Sequence, residues 1–510
     1  MKKVSVSPIK KDRTVLNVAS TITLQIITLL SGFLVPKFIL DAFGSQINGL
    51  VSSITQFLGY ISLVEGGVGA VILANLYGPL ANNDSEKISA VIVTANRFFK
   101  HLALIFLGYE IGLAIIYPFF IKTQLSWEYI ASLTLIMGVS TFIQYYFAIS
   151  WKLMLQADRK MFVAAFVQGL AVVLNLFTTI IIIRVLPNIH MVKLIGGALY
   201  FIQPIILNRY IKKHYVINPK VKSDSELLKQ RWDGFGINIA SMVHASTATI
   251  VLTLLTGLES VSVLSVYLLV VNGLKSLITS ISSGVIPTIG TAYAKGDLRE
   301  CNKMFDLYDT IMFFVSFLCY TIAAITISHF TMLYTASVTD ANYWQPALGA
   351  ILSVAECMFC IREPYVNMAY SAGDFRQVSK YAYMEAILNV VLSVIFTLLF
   401  GMIGVAIGLL ISIIYRTLMQ VWYTQEYTIR RPVSAFLKKL ISFSSASAVC
   451  AFVSIKIFHM GTLSVGAWIL YAFKVSVIEI ICLIIASVIS CQSEYRIIKK
   501  ILHDRNKAVK

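Results

Sequence analysis

From residue 14 to residue 36 the sequence runs for 23 residues without an Asp, Glu, Lys or Arg. It does so again for 23 residues at 129–151 and 161–183, and for 30 at 310–339. Residues 234–258 form a further run of 25, in which His244 is the only titratable side chain. About 20 apolar residues suffice for a helix to cross the hydrocarbon core of a bilayer, and backbone polar groups there must be satisfied within the segment. Such a chain has few options: it is expected to be a bundle of membrane helices. The composition agrees, with 57% hydrophobic and 13% charged residues, about half the charge of an ordinary soluble domain.

Weaker spans, each interrupted by one to three charges, lie near 47–76, 98–120, 192–210, 261–290, 344–368, 380–400, 403–423, 440–459 and 466–490. The expected total is fourteen, with a tight turn at Gly401-Met-Ile-Gly404 dividing the eleventh from the twelfth. An even number puts both termini on one side. With that side cytoplasmic, the inside segments hold 33 of the 42 Lys and Arg residues, the asymmetry expected of the positive-inside rule. The net charge of +17 is thus accounted for by orientation, and no basic helix or aromatic-basic platform suggests nucleic acid. The basic start MKKVSVSPIKKDR is followed by a run too long for a signal h-region, so no cleavable signal is expected.

The two halves echo each other. Asn17-Val-Ala-Ser20 opens the first span and Asn238-Ile-Ala-Ser241 the seventh. "LQADRKMFVAAFVQGLAVVLNL" around the fifth span resembles "AYSAGDFRQVSKYAYMEAILNV" around the eleventh, pairing Asp158 and Arg159 with Asp374 and Arg376, and Asn175 with Asn389. A shift of six helices implies parallel repeats about an axis along the membrane normal. The expected division is a cytoplasmic N-terminus 1–13, an N-lobe 14–210, a cytoplasmic linker 211–233, a C-lobe 234–425, two extra helices within 426–491 and a basic cytoplasmic tail 492–510. The Asp/Arg loops read as ordinary loops with Asp near a helix N-terminus.

Ionisable groups inside spans are costly and mark cavities or partners. The candidates are Glu65, Lys275, Glu356, Arg362, Glu385 and Arg416, with Glu110, Lys474 and Glu479 also inside spans; Lys37 and Lys456 can snorkel to an interface. Lys275 lies about fourteen residues from either end of its span. It suits an anionic headgroup such as pyrophosphate, or a buried pair with Glu65 or Glu356. Arg362 and Arg416 are further candidate cations for the same headgroup. Glu65 precedes Gly66, Gly67 and Gly69, which permit close helix approach or a loosened backbone. It is a candidate, with Glu356 and Glu385, for a gate or for binding Na⁺ or H⁺; the alternative is a pair with a cytoplasmic-side Lys. Cys357 and Cys360 have CxxC spacing without a second pair and read as small apolar residues. The sequence has no GxSxG, HExxH or P-loop, so neither an enzyme nor an organic cofactor or resident metal is expected.

The stretch "INGLVSSITQFLGYISLVEGGVGAVILANLYGPLANND" resembles the second span and following loop of polysaccharide-type (Wzx-like) flippases of the multidrug/oligosaccharidyl-lipid/polysaccharide superfamily. Residues 49–58, 63–70 and 76–80 and Asp84 carry the likeness, and "LQADRK" at 155–160 resembles the motif after span 4. The resemblance implies an all-α integral membrane protein of the MATE-like fold, with fourteen transmembrane helices: two six-helix lobes plus helices 13 and 14, which help form a lipid-side groove. It implies flipping of undecaprenyl-pyrophosphate-linked oligosaccharide for surface polysaccharide by alternating access, in a bacterial cytoplasmic membrane. The implied partners are the bilayer, the lipid-linked substrate and other polysaccharide-assembly membrane proteins. Relatives in the lipid II branch carry arginines in spans 1 and 2, where this chain has Glu65 and only Lys37. Lipid II flipping and ion-coupled drug antiport are the alternatives within the superfamily; a membrane glycan polymerase would need a larger outer loop. The orientation has a direct test. In intact cells a membrane-impermeant thiol reagent is expected to label a cysteine introduced at Asn188 and to spare one introduced at Asn83 until the cells are opened.

Overall fold

The computed structural model describes residues 11–224, 235–294, 298–458 and 460–490. Among them every regular element is a helix, and eleven helices are long and apolar enough to cross a membrane. A count of fourteen spans is consistent with these. The first of the eleven bends into two rods; residues 240–255 are apolar but short; and Pro346–Ser371 carries Glu356, Arg362 and Glu363. The chain divides into two compact units. One runs up to Met242 and takes in Gly257–Ser262; the other holds Val243–Thr256 and everything from Val263 on.

The first unit contains α1 (Lys11–Leu58), α2 (Ser62–Ala81), α3 (Ser85–Ile116), α4 (Trp127–Ile143), α5 (Ile149–Ala157), α6 (Met161–Val185), α7 (Ile189–Ala198) and α8 (Ile202–His214). Gly44 breaks α1 at φ 78°, a conformation open to glycine, so the first two spans meet at a kink rather than a loop. Just before it, Lys37 pairs with Asp41 at 2.6 Å across one helical turn. Helix α1 packs on α6, α2 on α3 and α5, and α4 on α7, around a core including Leu50, Ile54, Leu76, Ile92, Phe99 and Met154. A π-helical turn, Gln144–Ala148, joins α4 to α5. Asp84 caps α3 by accepting from the Lys87 N–H at 3.1 Å, and that bond holds its carboxyl below the usual range.

Three connections use the same turn. Asn83, Arg159 and Gly373 are left-handed, with φ 52°, 55° and 86°. The next N–H in each reaches back five residues: Asp84 to Pro79 O, Lys160 to Leu155 O and Asp374 to Ala369 O, at 2.8–3.0 Å. This is the Schellman stop of a helix C-terminus. It places Arg159 opposite Gly373 and Lys160 opposite Asp374, the same 214-residue offset that relates Asn175 to Asn389. The sequence pairing of Asp158 with Asp374 and Arg159 with Arg376 is therefore out of register, because matching charges outweighed the backbone turn. The Asn17 side chain bridges this turn, donating to Arg159 O at 2.8 Å and accepting from the Phe162 N–H at 2.9 Å. The side chain of its repeat counterpart, Asn238, lies outside the described residues.

The expected linker 211–233 begins as helix, since α8 runs to His214. Beyond His214 the chain lies along the first unit: Asn218 N–H donates to Ser89 Oγ at 3.0 Å and Asp224 N–H to Thr94 Oγ1 at 2.9 Å. The Tyr215 hydroxyl donates to Asp158. Residues 225–234, the first ten residues and the tail from 491 lie outside the described residues.

The second unit contains α9 (Phe235–Leu255) from Val243, α10 (Leu258–Ala294) from Val263, α11 (Leu298–Tyr334), α12 (Pro346–Ser371), α13 (Phe375–Phe400), α14 (Met402–Tyr423), α15 (Ser434–Ile457) and α16 (Val465–Ser490). Helix α11 begins at Leu298 and ends at Tyr334, so the helix starts and stops earlier than the charge-free run 310–339 suggested. Helices α15 and α16 pack on α11. Lys439 of α15 pairs with Asp309 at 2.9 Å, and Trp468 Nε1 donates to Thr326 O at 3.2 Å. Glu479, an in-span carboxylate, accepts from Ser447 Oγ at 2.6 Å.

The turn expected between spans 11 and 12 is a single residue, Gly401, at φ 59°. The hairpin it closes is tight. A Cβ on Gly404 would collide with the Phe396 carbonyl, and one on Gly408 would lie 2.5 Å from the Ser393 nitrogen. Backbone cannot yield as a flexible side chain can. Gly408→Val is therefore expected to cost about 1–3 kcal/mol, read as a lowered unfolding midpoint in detergent.

Candidate functional site

The in-span charges of the second unit converge. On α12, Glu356, Phe359, Arg362 and Glu363 recur at helical spacing and share one side. His244 of α9, Lys275 of α10, Glu385 of α13 and Arg416 of α14 meet them there. Five of the six residues singled out from the sequence (Lys275, Glu356, Arg362, Glu385 and Arg416) thus belong to one cluster.

Glu385 is its hub. Arg416 Nη1 lies 2.6 Å from Oε2, and Arg362 Nη1 3.5 Å from Oε1. His244 Nδ1 lies 3.2 Å from the same Oε1. The other nitrogen of His244, Nε2, lies 3.7 Å from Glu356 Oε1 and 3.4 Å from Lys275 Nζ. Lys275 in turn approaches Glu356 Oε2 at 2.9 Å. A proton on Nδ1 faces Glu385 and leaves the Nε2 lone pair toward Lys275. Phe359 lies under the cations, with Lys275 Nζ 3.9 Å and the Arg362 guanidinium 4.7 Å from its ring centre. Cation–π attraction adds to the ion pairs in such a desolvated place. Glu363 lies within electrostatic reach of Arg362, Arg416 and Lys275 and accepts from Asn367 Nδ2 at 3.5 Å.

Three cations thus face three carboxylates, and with His244 neutral the formal charge balances. Each candidate cation has a carboxylate beside it, so the cluster is not a bare cationic lining. It is an ion-pair network of the kind that burial demands. Lys275 and Glu363 are half-buried, where the other charged members and His244 are buried. The Lys275 side chain keeps 21% of its surface exposed, against 1–7% for His244, Glu356, Arg362, Glu385 and Arg416. Of the partners open to Lys275 from the sequence, Glu356 lies beside it.

His244 was visible in the sequence as the lone titratable residue of its span, yet a single histidine says nothing of what it bridges. The Glu65 side chain lies outside the described residues. Its backbone belongs to α2, which runs as α-helix through Gly66, Gly67 and Gly69 after a 3₁₀ turn at Gly59–Ile61; there is no break at the glycines. Cys357 and Cys360 are buried on α12, with Cys360 Sγ 3.8 Å from the Tyr320 hydroxyl. Glu110 is buried on α3 against Gly138 of α4, where any Cβ would collide with its carboxylate.

No family model matches the sequence, and no curated protein matches it. Solved structures do. The chain superposes on the lipid II flippase MurJ in its inward closed conformation with a TM-score of 0.71, over 93% of this chain and 98% of that one, at 15% identity. An inward-facing multidrug-resistance MATE family transporter of the MOP superfamily gives 0.64 over 82% and 99% at 15% identity. An outward-facing structure of such a transporter gives 0.58 over 84% and 100% at 14% identity. The fold is MATE-like and MurJ-like. At this identity the likeness is one of fold, and function has to be argued from the site.

Removing one partner of a buried pair leaves an uncompensated charge. Glu385→Gln is expected to cost about 3–5 kcal/mol, and Glu385→Gln with Arg416→Gln to recover part of that loss. A double-mutant cycle on detergent unfolding midpoints measures the coupling; strictly additive losses would contradict the hub role of Glu385.

Proposed function

We propose that this chain is a flippase that carries an undecaprenyl-pyrophosphate-linked oligosaccharide across the bacterial cytoplasmic membrane for surface polysaccharide assembly. Both termini are cytoplasmic in this reading, and the halves alternate between inward- and outward-open arrangements. The observation that carries it is Lys275: a mid-span ammonium, partly exposed at the edge of a largely buried ion-pair network. Such a cation suits a phosphate oxygen. A fold solved in both inward- and outward-facing forms supports alternating access.

The network also suggests how an anion would be received. A phosphate arriving at Lys275 competes with Glu356 for the ammonium. The released carboxylate faces His244 Nε2, 3.7 Å away, a ring nitrogen able to carry a proton. Proton uptake between them restores the balance, which makes H⁺ rather than Na⁺ the coupling ion in this reading. Both Glu356 and Glu385 already hold cationic side chains, so neither stands ready for a cationic drug, which counts against drug antiport.

Proteoliposomes loaded with fluorescent lipid-linked oligosaccharide test the reading. Headgroup exposure is expected to depend on a pH gradient and not on Na⁺, and to fall at least about tenfold in Lys275→Ala, the scale of one lost charge-assisted hydrogen bond. His244→Ala is expected to lose the pH response. Absence of flipping by folded wild-type protein with several glycans would overturn the assignment.

A further inference from the structure

The first unit carries a second polar site, on different residues. A cavity of about 460 Å³ lies among α1, α4, α6 and α7, a size ordinary for small-molecule sites. Asn175 and Thr179, one turn apart on α6, contribute one wall. Lys193, Gly196, Gly197 and Tyr200, at i, i+3, i+4 and i+7, contribute another. Gln144 and Tyr145 enter from the π-helical turn after α4. Turns of that kind are rare and gather at functional sites.

The polar groups of this cavity are short of partners. Among the described residues, Lys193, Asn175, Thr179 and the Tyr200 hydroxyl make no hydrogen bond or ion pair with another side chain or with the backbone. Thr179 is 2% exposed. Burial of unpaired polar groups costs free energy, and an unpaired ammonium in a membrane span costs more. Gly196 leaves room for the Asn175 side chain: a Cβ there would collide with its amide oxygen. Lys193 does not simply anchor the helix end, because it shares its side of α7 with the other lining residues, which face α4 and α6.

We propose that this cavity binds an anionic sugar, a hexose-sized polyol bearing one carboxylate or phosphate. Lys193 takes the anionic group, Asn175, Thr179 and Gln144 take hydroxyls, and Tyr145 and Tyr200 flank the ring. The proposal deepens the flippase reading by giving the glycan headgroup a charged subsite in the first unit, apart from the pyrophosphate contact at Lys275.

The test uses the full-length protein in nanodiscs and soluble monosaccharides, so it reads binding without any flipping and can fail while the flippase reading stands, or the reverse. Saturation-transfer NMR is recorded with D-glucuronate, D-glucose 6-phosphate and D-glucose. Wild type is expected to bind an anionic sugar more tightly than glucose. Lys193→Gln is expected to weaken that binding about tenfold and leave glucose unaffected, while Lys193→Arg retains it and confirms that the wall still folds. Preference for glucuronate assigns a carboxylate and preference for the 6-phosphate assigns a phosphate; either supports the site. No binding of either anion by wild type, or equal binding by Lys193→Gln, overturns it.

Discussion

The Glu385 carboxylate is the point on which the second unit turns. It lies in apolar surroundings, 1% exposed, with Arg416, Arg362 and His244 around it. In apolar surroundings each of these charges is costly unless an opposite charge lies beside it. The pairing fixes the facing sides of α9, α12, α13 and α14, since each must deliver its charged residue to the same few ångströms. Lys275 and Glu356 then complete the arrangement from α10 and α12. Whether such a network adds net stability is secondary to what it does to specificity, for it rejects every rotation of those helices that would strand a charge.

Much of the fold was legible because the bilayer reduces the problem to length and charge. The spans, the single-glycine hairpin at Gly401 and the existence of a repeat all follow from charge-free runs and turn chemistry. What escaped reading were features governed by backbone geometry. The first two spans share one kinked helix because Gly44 can take a left-handed conformation. Charge matching set the Asp158 loop two residues out of register because the recurring Schellman turn leaves almost no mark in sequence, carried as it is by Asn83, Arg159 and Gly373 in turn. The site was legible in a similar way. In-span Lys, Arg and Glu residues announced themselves by cost, and five of them meet. Their mutual neutralisation did not, since pairing across helices depends on rotation about helix axes that a single sequence does not encode. The cavity at Lys193 was missed because its lysine opens its expected span, where it reads as an interfacial anchor, and the unpaired Asn, Thr and Tyr beside it look unremarkable one at a time.

The repeat gives the two halves equivalent parts put to different use. Asn175 and Asn389 occupy matching places on α6 and α13. In the first unit Gly196 rests against Asn175 and a cavity opens beside it. In the second, Ser393 donates to Asn389 at 3.0 Å and Gly408 closes over the Ser393 backbone, so the matching place is packed shut. Small residues at the same repeat position thus serve an open pocket in one unit and a sealed hairpin in the other.

The single residue joining α13 to α14 also bears on how the chain reaches its membrane. With only Gly401 between them, the two helices form a hairpin, the natural unit for entry into lipid. Glu385 rides on the first arm and Arg416 on the second, so acid and base enter already neutralised by each other, and the insertion machinery meets a nearly uncharged hairpin where the sequence, read helix by helix, presents two forbidding charges.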